Sequence, residues 1–128
     1  MKFLAGLLTF TVVMLHLGFM ALEMFFWNAP IGQKIFGMSA EVAATSEVLA
    51  FNQGLYNGIL AVGLLWGLMA KKHEVKIFFL LAIIVAGVVG GLTAKMSIMY
   101  IQALPALLAL LLVMKTKGRR AGEPRLFS

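Results

Sequence analysis

Four apolar stretches dominate this sequence, and each is long enough to cross a lipid bilayer: residues of about 3–27, 40–70, 77–94 and 97–114. A bilayer core about 30 Å thick needs roughly 20 residues of helix at 1.5 Å per residue. Lipid offers a backbone N–H or C=O no partner, so a single apolar run that spans it must be helical. The expected fold is therefore an all-α membrane protein, with four transmembrane helices in one compact bundle over residues 1–114 and a basic cytoplasmic tail at 115–128.

Composition narrows the function classes. With 62% hydrophobic and 12% charged residues in a chain of 128, a soluble domain is excluded. The net charge of +6 lies almost entirely between and after the apolar stretches, where it reads as a topology signal and makes nucleic acid a poor partner. No cysteine is present, which removes disulfides, thiol catalysis and cysteine-based metal sites. Lys2 followed by an apolar run fits a signal peptide, but His16 and Glu23 interrupt that run and it extends to Trp27, so it reads as a retained helix.

With four spans, one side of the membrane receives Lys2, the cluster Lys71, Lys72 and Lys76, and the basic residues from Lys115 onward; the other receives Lys34 and Lys95. Nine Lys and Arg against two place both termini in the cytoplasm. Phe25, Phe26 and Trp27 form an aromatic belt at the far end of the first helix, and Asn28 to Gly32 breaks it. Ser39 reads as the N-cap of the second span, with Glu41 in its first turn. Lys71 to Lys76 reads as a solvated turn, Lys95 as a snorkelling side chain, and Trp66 and Tyr100 as interfacial anchors on opposite sides.

Three GxxxG pairs (Gly54 and Gly58, Gly63 and Gly67, Gly87 and Gly91) and a row of Ala82, Ala86, Gly90 and Ala94 allow close helix approach. Packing within the chain is the first reading of these faces, and a homodimer through them the second.

The polar residues inside the apolar stretches are the functional signal, because a polar group at membrane depth is costly unless partnered. His16 and Glu23 are seven apart and share a helix face. Asn52, Gln53, Tyr56 and Asn57 fall within six residues and span an arc of about 140° at 100° per residue, wide enough to line a cavity wall. Gln102 lies three residues before Pro105, whose missing N–H frees the Ile101 carbonyl. In this topology all seven side chains fall between the outer surface and mid-membrane, and the expectation is that they converge on one pocket. Each also has a plain structural reading: interhelical hydrogen bonding for His16 and the amides, headgroup-level placement for Glu23. A metal site is not expected, since the two histidines fall on opposite sides of the membrane, and no cofactor is expected.

The segments HLGFMALEMFFW, FNQGLYNG, VAGVVGGLTA and QALPALLAL together resemble a small bacterial and fungal membrane family catalogued as domain of unknown function 1304. The resemblance reaches to about Met114, and its most specific parts are Asn52 to Gly58 and the His16–Glu23–Trp27 spacing. It implies a four-helix integral membrane protein with these polar positions as its hallmark, and no established activity. Three functions fit the residues. The first is binding or transport of a small amphiphilic molecule, with a proton-linked step through His16 or Glu23. The second is a membrane-embedded enzyme with these two as acid and base. The third is a lipid-binding or partner-stabilising module without chemistry. The first is preferred; an enzyme is disfavoured because no spacing enforces a catalytic pair.

Overall fold

A computed structural model describes the backbone over residues 1–121 and the side chains over residues 1–116. It is all-helical among the described residues. The long helices are α1 (Lys2–Phe25), α3 (Ala40–Met69), α4 (His73–Thr93) and α6 (Leu104–Ala121). A short helix α2 (Pro30–Phe36) follows α1, and a short α5 (Met96–Ile98) leads into a π-helical segment (Met99–Ala103) before α6. By length and hydropathy, four stretches are able to cross a membrane: Lys2–Phe25, Ala40–Met69, His73–Thr93 and Met96–Thr116. Helix α6 continues beyond Met114, where the sequence suggested a tail, to Ala121; the rest of that tail lies outside the described residues.

The contacts divide into two compact units, 13–62 and a second made of 1–12 with the chain from residue 63 onward. In the first, Asn28 to Gly32 does more than break α1. Pro30 occupies the first turn of α2, where its fixed φ suits a helix start and its missing N–H costs nothing. Gly32, expected to serve a turn, is buried and helical; a Cβ there would run into the Phe26 and Trp27 carbonyl oxygens. Gly37 then ends α2 in the left-handed conformation (φ 64°), which glycine adopts without steric cost. The Trp27 indole packs on Phe36 with centroids 4.7 Å apart and donates Nε1–H to Ser46 Oγ at 3.0 Å. Ser39 caps α3 as expected, its Oγ accepting the Val42 N–H at 3.2 Å. At 30 residues, α3 is about 45 Å long, so its first turns (Glu41, Thr45, Glu47) exceed a bilayer core.

In the second unit, α3 and α4 are joined by a much tighter turn than the expected 71–76 loop. The Lys72 N–H bonds the Gly67 carbonyl (3.0 Å) and the Lys71 N–H bonds that of Leu68 (3.3 Å), with Lys71 left-handed at φ 54°. This is a Schellman closure, and it lets α4 begin at His73. Glycines carry the packing that follows. A Cβ on Gly63 would enter the Phe79 ring, and one on Gly87 would meet the Ala103 nitrogen at 2.7 Å. Gly91 seats Met99, whose Cβ would lie 2.6 Å from an added methyl. The row used by α4 is thus Gly87 and Gly91; Ala86 and Ala94 of the expected row are exposed. Leu64, Leu80, Ile83 and Val113 are fully buried, while Phe3, Leu92 and Met69 lie open on the surface. In lipid such outward residues are already solvated, so close packing of small residues is what holds the helices.

The π segment was not anticipated. Leu104 N–H reaches back five residues to the Met99 carbonyl, adding one residue to the turn immediately before Pro105. Such a bulge relieves the clash a proline ring makes with the preceding turn.

Candidate functional site

The polar centre of the 13–62 unit is a pair. Asn57 Nδ2 on α3 donates to Glu23 Oε2 on α1 at 2.7 Å. Asn57 is buried and Glu23 half-buried. The glycines either side of Asn57 create this contact. A Cβ on Gly54 would meet Met24 Cγ at 2.6 Å, Glu23 Cβ at 3.0 Å and the Met20 carbonyl oxygen at 3.1 Å; one on Gly58 would meet Met20 Sδ at 2.7 Å. The two backbones approach because both positions lack a side chain, and the short Asn57 amide then reaches the carboxylate. Gly54 lies against Met24 and Gly58 against Met20, so the helices run antiparallel, and this register carries Ala61 to the level of His16.

His16, two turns from Glu23 on α1, is 1% exposed and meets the Phe19 ring edge-to-face at 6.0 Å. The buried stripe of α3 in this unit is Ala43, Ala50, Gly54, Asn57, Gly58 and Ala61, a helical spacing that takes in one polar side chain. Asn52, Gln53 and Tyr56 are exposed, Tyr56 at 60%. Of the seven expected site residues, the structure joins Glu23 to Asn57 directly and buries His16 on the same face of α1. It leaves Asn52, Gln53 and Tyr56 on the outer surface of α3. Gln102 is half-buried in the π segment, in the other unit.

Glu23 lies in the last turn of α1, two residues before its end at Phe25, and the aromatic residues Phe25, Phe26 and Trp27 follow at that end. A carboxyl group here accepts hydrogen bonds or pairs with a cation when ionised, and donates when protonated. Among the described residues no cluster of three or more His, Cys, Asp or Glu side chains forms a metal-ligand set.

Sequence reasoning missed two features near the ends of the spans. One is the Trp27–Ser46 bond, which nothing in the sequence singles out, since Ser46 is one of several polar residues (Glu41, Thr45 and Glu47 among them) at the start of α3. The other is His73, taken for a solvated loop residue but half-buried as the first residue of α4.

Four membrane-length apolar helices, with a carboxylate and a carboxamide joined inside the apolar stretches, define the chain as a helical multi-pass membrane protein. It belongs to the family described as "Protein of unknown function (DUF1304)", whose model matches residues 10–114. It is also 30% identical over 115 residues to the uncharacterized protein YpaA of Lactococcus lactis subsp. lactis (strain IL1403), covering 87% of this chain and 97% of that one. No solved structure matches it.

Proposed function

We propose that the protein is a four-helix bundle of the cell membrane with both termini cytoplasmic, and that it binds a small amphiphilic molecule at Glu23 in the outer half of the membrane. The observation that carries this reading is the 2.7 Å bond between Asn57 and Glu23. It uses one Asn57 proton and one Glu23 oxygen, leaving a second carboxylate oxygen, the other amide proton and the amide carbonyl as polar capacity at membrane depth. The matching ligand class is an amphiphile that presents a cationic nitrogen or hydrogen-bond donors to the carboxylate, with its apolar part among the helices. His16 is the further candidate to line its route, with Asn52, Gln53 and Tyr56 on the exposed face of α3 as candidates for its entry.

Transport is the extension of this reading. A carboxyl group that binds either a cation or a proton exchanges one for the other, which couples cargo to a proton gradient. Four helices are few for an alternating-access pathway, so transport calls for a homodimer. The three GxxxG pairs meet residues of the chain's own helices, which favours another face over the glycine-rich ones for the dimer contact.

The test uses proteoliposomes and a quaternary ammonium amphiphile, benzyltrimethylammonium, which cannot carry a proton itself. Gradient-driven uptake by wild type that is lost in Glu23→Gln, with circular dichroism unchanged, supports proton-coupled transport. Saturable binding without uptake supports the binder alone. If neither binding nor uptake is seen with a series of cationic and neutral amphiphiles, the site is not a ligand site. The second reading then stands: a packing clasp, favoured by the fit of Gly54 and Gly58 around Asn57.

A further inference from the structure

The 1–12 and 63-onward unit encloses an open cleft of about 900 Å³ where α1 starts, α3 ends and α4 begins. Its walls come from three separate parts of the chain: the first turn of α1, the α3–α4 turn with the start of α4, and Thr116 on α6. Four lysines line it (Lys2, Lys71, Lys72 and Lys76), against one acidic side chain, Glu74. The N-terminus of the 21-residue α4 also opens on it, adding the positive end of a helix dipole. Charge bias between membrane sides explains why lysines occur at this end of the chain. It does not explain why distant stretches turn theirs into one cavity.

The cleft's place relative to the bilayer is fixed by its neighbours. It lies where α3 ends and α4 begins, both of membrane length. One turn back, Trp66 is 52% exposed, with Lys72 Nζ 4.8 Å from its ring centroid. A tryptophan with a lysine over its face belongs at the headgroup level. Next to the cleft residues Lys2 and Leu68 stand Phe3 and Met69, which are 82% and 74% exposed. The cavity therefore joins a cationic interior to an apolar flank. That pairing suits one molecule with an anionic head and a hydrocarbon tail.

We propose that this cleft is a binding site for the phosphate group of an anionic membrane lipid, held by Lys2, Lys71, Lys72 and Lys76, with the acyl chains lying along the exposed apolar residues of α1 and α3. Basic pockets between transmembrane helices take phospholipid headgroups, each nearby lysine strengthening attraction by about 5-fold. Lys71 fits this role in a further way. Its left-handed position in the turn is one that glycine fills with less strain, so a lysine there supplies a charge at a conformational cost.

The full chain, purified in a non-ionic detergent, is titrated with phosphatidylglycerol, phosphatidylcholine or inorganic phosphate, and bound species are counted by native mass spectrometry. Phosphatidylglycerol should bind at least about 10-fold more tightly than phosphatidylcholine, and less tightly as salt is raised. The Lys71→Gln/Lys72→Gln pair should lower that affinity by about 25-fold, while Lys71→Arg/Lys72→Arg keeps it. Lys34→Gln/Lys95→Gln, which lies outside the cleft and removes the same net charge, should leave it unchanged. Equal affinity for the two lipids in wild type overturns the site, and so does an equal loss in the control pair. Inorganic phosphate binding as tightly as phosphatidylglycerol would overturn the lipid assignment in favour of a soluble anion. The lipid comparison in wild type decides the matter even if the glutamine pair does not fold.

Discussion

Replacing Gly54 with alanine tests the geometry of the Glu23–Asn57 pair most directly. The new methyl would lie 3.0 Å from Glu23 Cβ and 3.1 Å from the Met20 carbonyl oxygen, and both belong to the rigid part of α1. Carbon atoms settle at about 3.5–4.0 Å, so α3 must withdraw from α1 by roughly 0.5 Å. The withdrawal stretches the 2.7 Å hydrogen bond and adds overpacking strain, a combined cost of about 1–3 kcal/mol. Gly58→Ala should cost less, because the methyl there meets the Met20 thioether at 2.7 Å and that side chain can swing away. Gly18→Ala is the counter-case. Nothing lies within 4 Å of its added Cβ, so the gain in helix propensity should stabilise the protein by about 0.5–1 kcal/mol. Reversible unfolding in mixed micelles, followed by circular dichroism, should rank the variants Gly18→Ala above wild type, then Gly58→Ala, then Gly54→Ala. If Gly54→Ala is as stable as Gly18→Ala, the close approach of α1 and α3 at this point is wrong.

The pair itself should show coupling: a double-mutant cycle of Glu23→Ala and Asn57→Ala should return an interaction of about 1 kcal/mol, within the range for hydrogen bonds between membrane helices. A coupling near zero would mean the two side chains do not meet. On the other unit, Gly63→Ala should destabilise by about 1–3 kcal/mol and be partly rescued by Phe79→Leu, since the added methyl enters the Phe79 ring; the rescue is read from the same micelle unfolding. Ser39→Ala removes the cap on α3 and should cost about 1 kcal/mol locally, raising hydrogen exchange at the Glu41 and Val42 amides without shifting global unfolding.

The spans were legible because lipid leaves the backbone one option and demands long apolar runs. The short elements were not. Pro30 and Gly32 look like helix breakers in a sequence, yet one starts α2 and the other lets it press against the carbonyls of residues 26 and 27. Only tertiary contact distinguishes those uses. The turn after α3 was over-long for a similar reason: a run of six residues, five of them polar, suggests a loop, whereas a left-handed lysine closes the helix within two. Within the site, the shared face of His16 and Glu23 and the presence of Asn57 could be read from spacing. The separation of Asn57 from Asn52, Gln53 and Tyr56 could not. Polarity marks a residue that needs a partner, but the glycines at 54 and 58 decide which face of α3 approaches α1.

The π segment carries a consequence for how chains of this family can differ in length. One residue of Met99–Ala103 is surplus to an α-helical path. Deleting it would return the stretch to ordinary helix, while Ala106, Ala109 and Val113 keep their burial on α6. A transmembrane helix normally rotates every downstream side chain by about 100° when it loses a residue. Here the bulge absorbs that rotation, so an alignment gap is tolerable inside a membrane span as well as in a loop, provided Pro105, which the bulge accommodates, is lost with it.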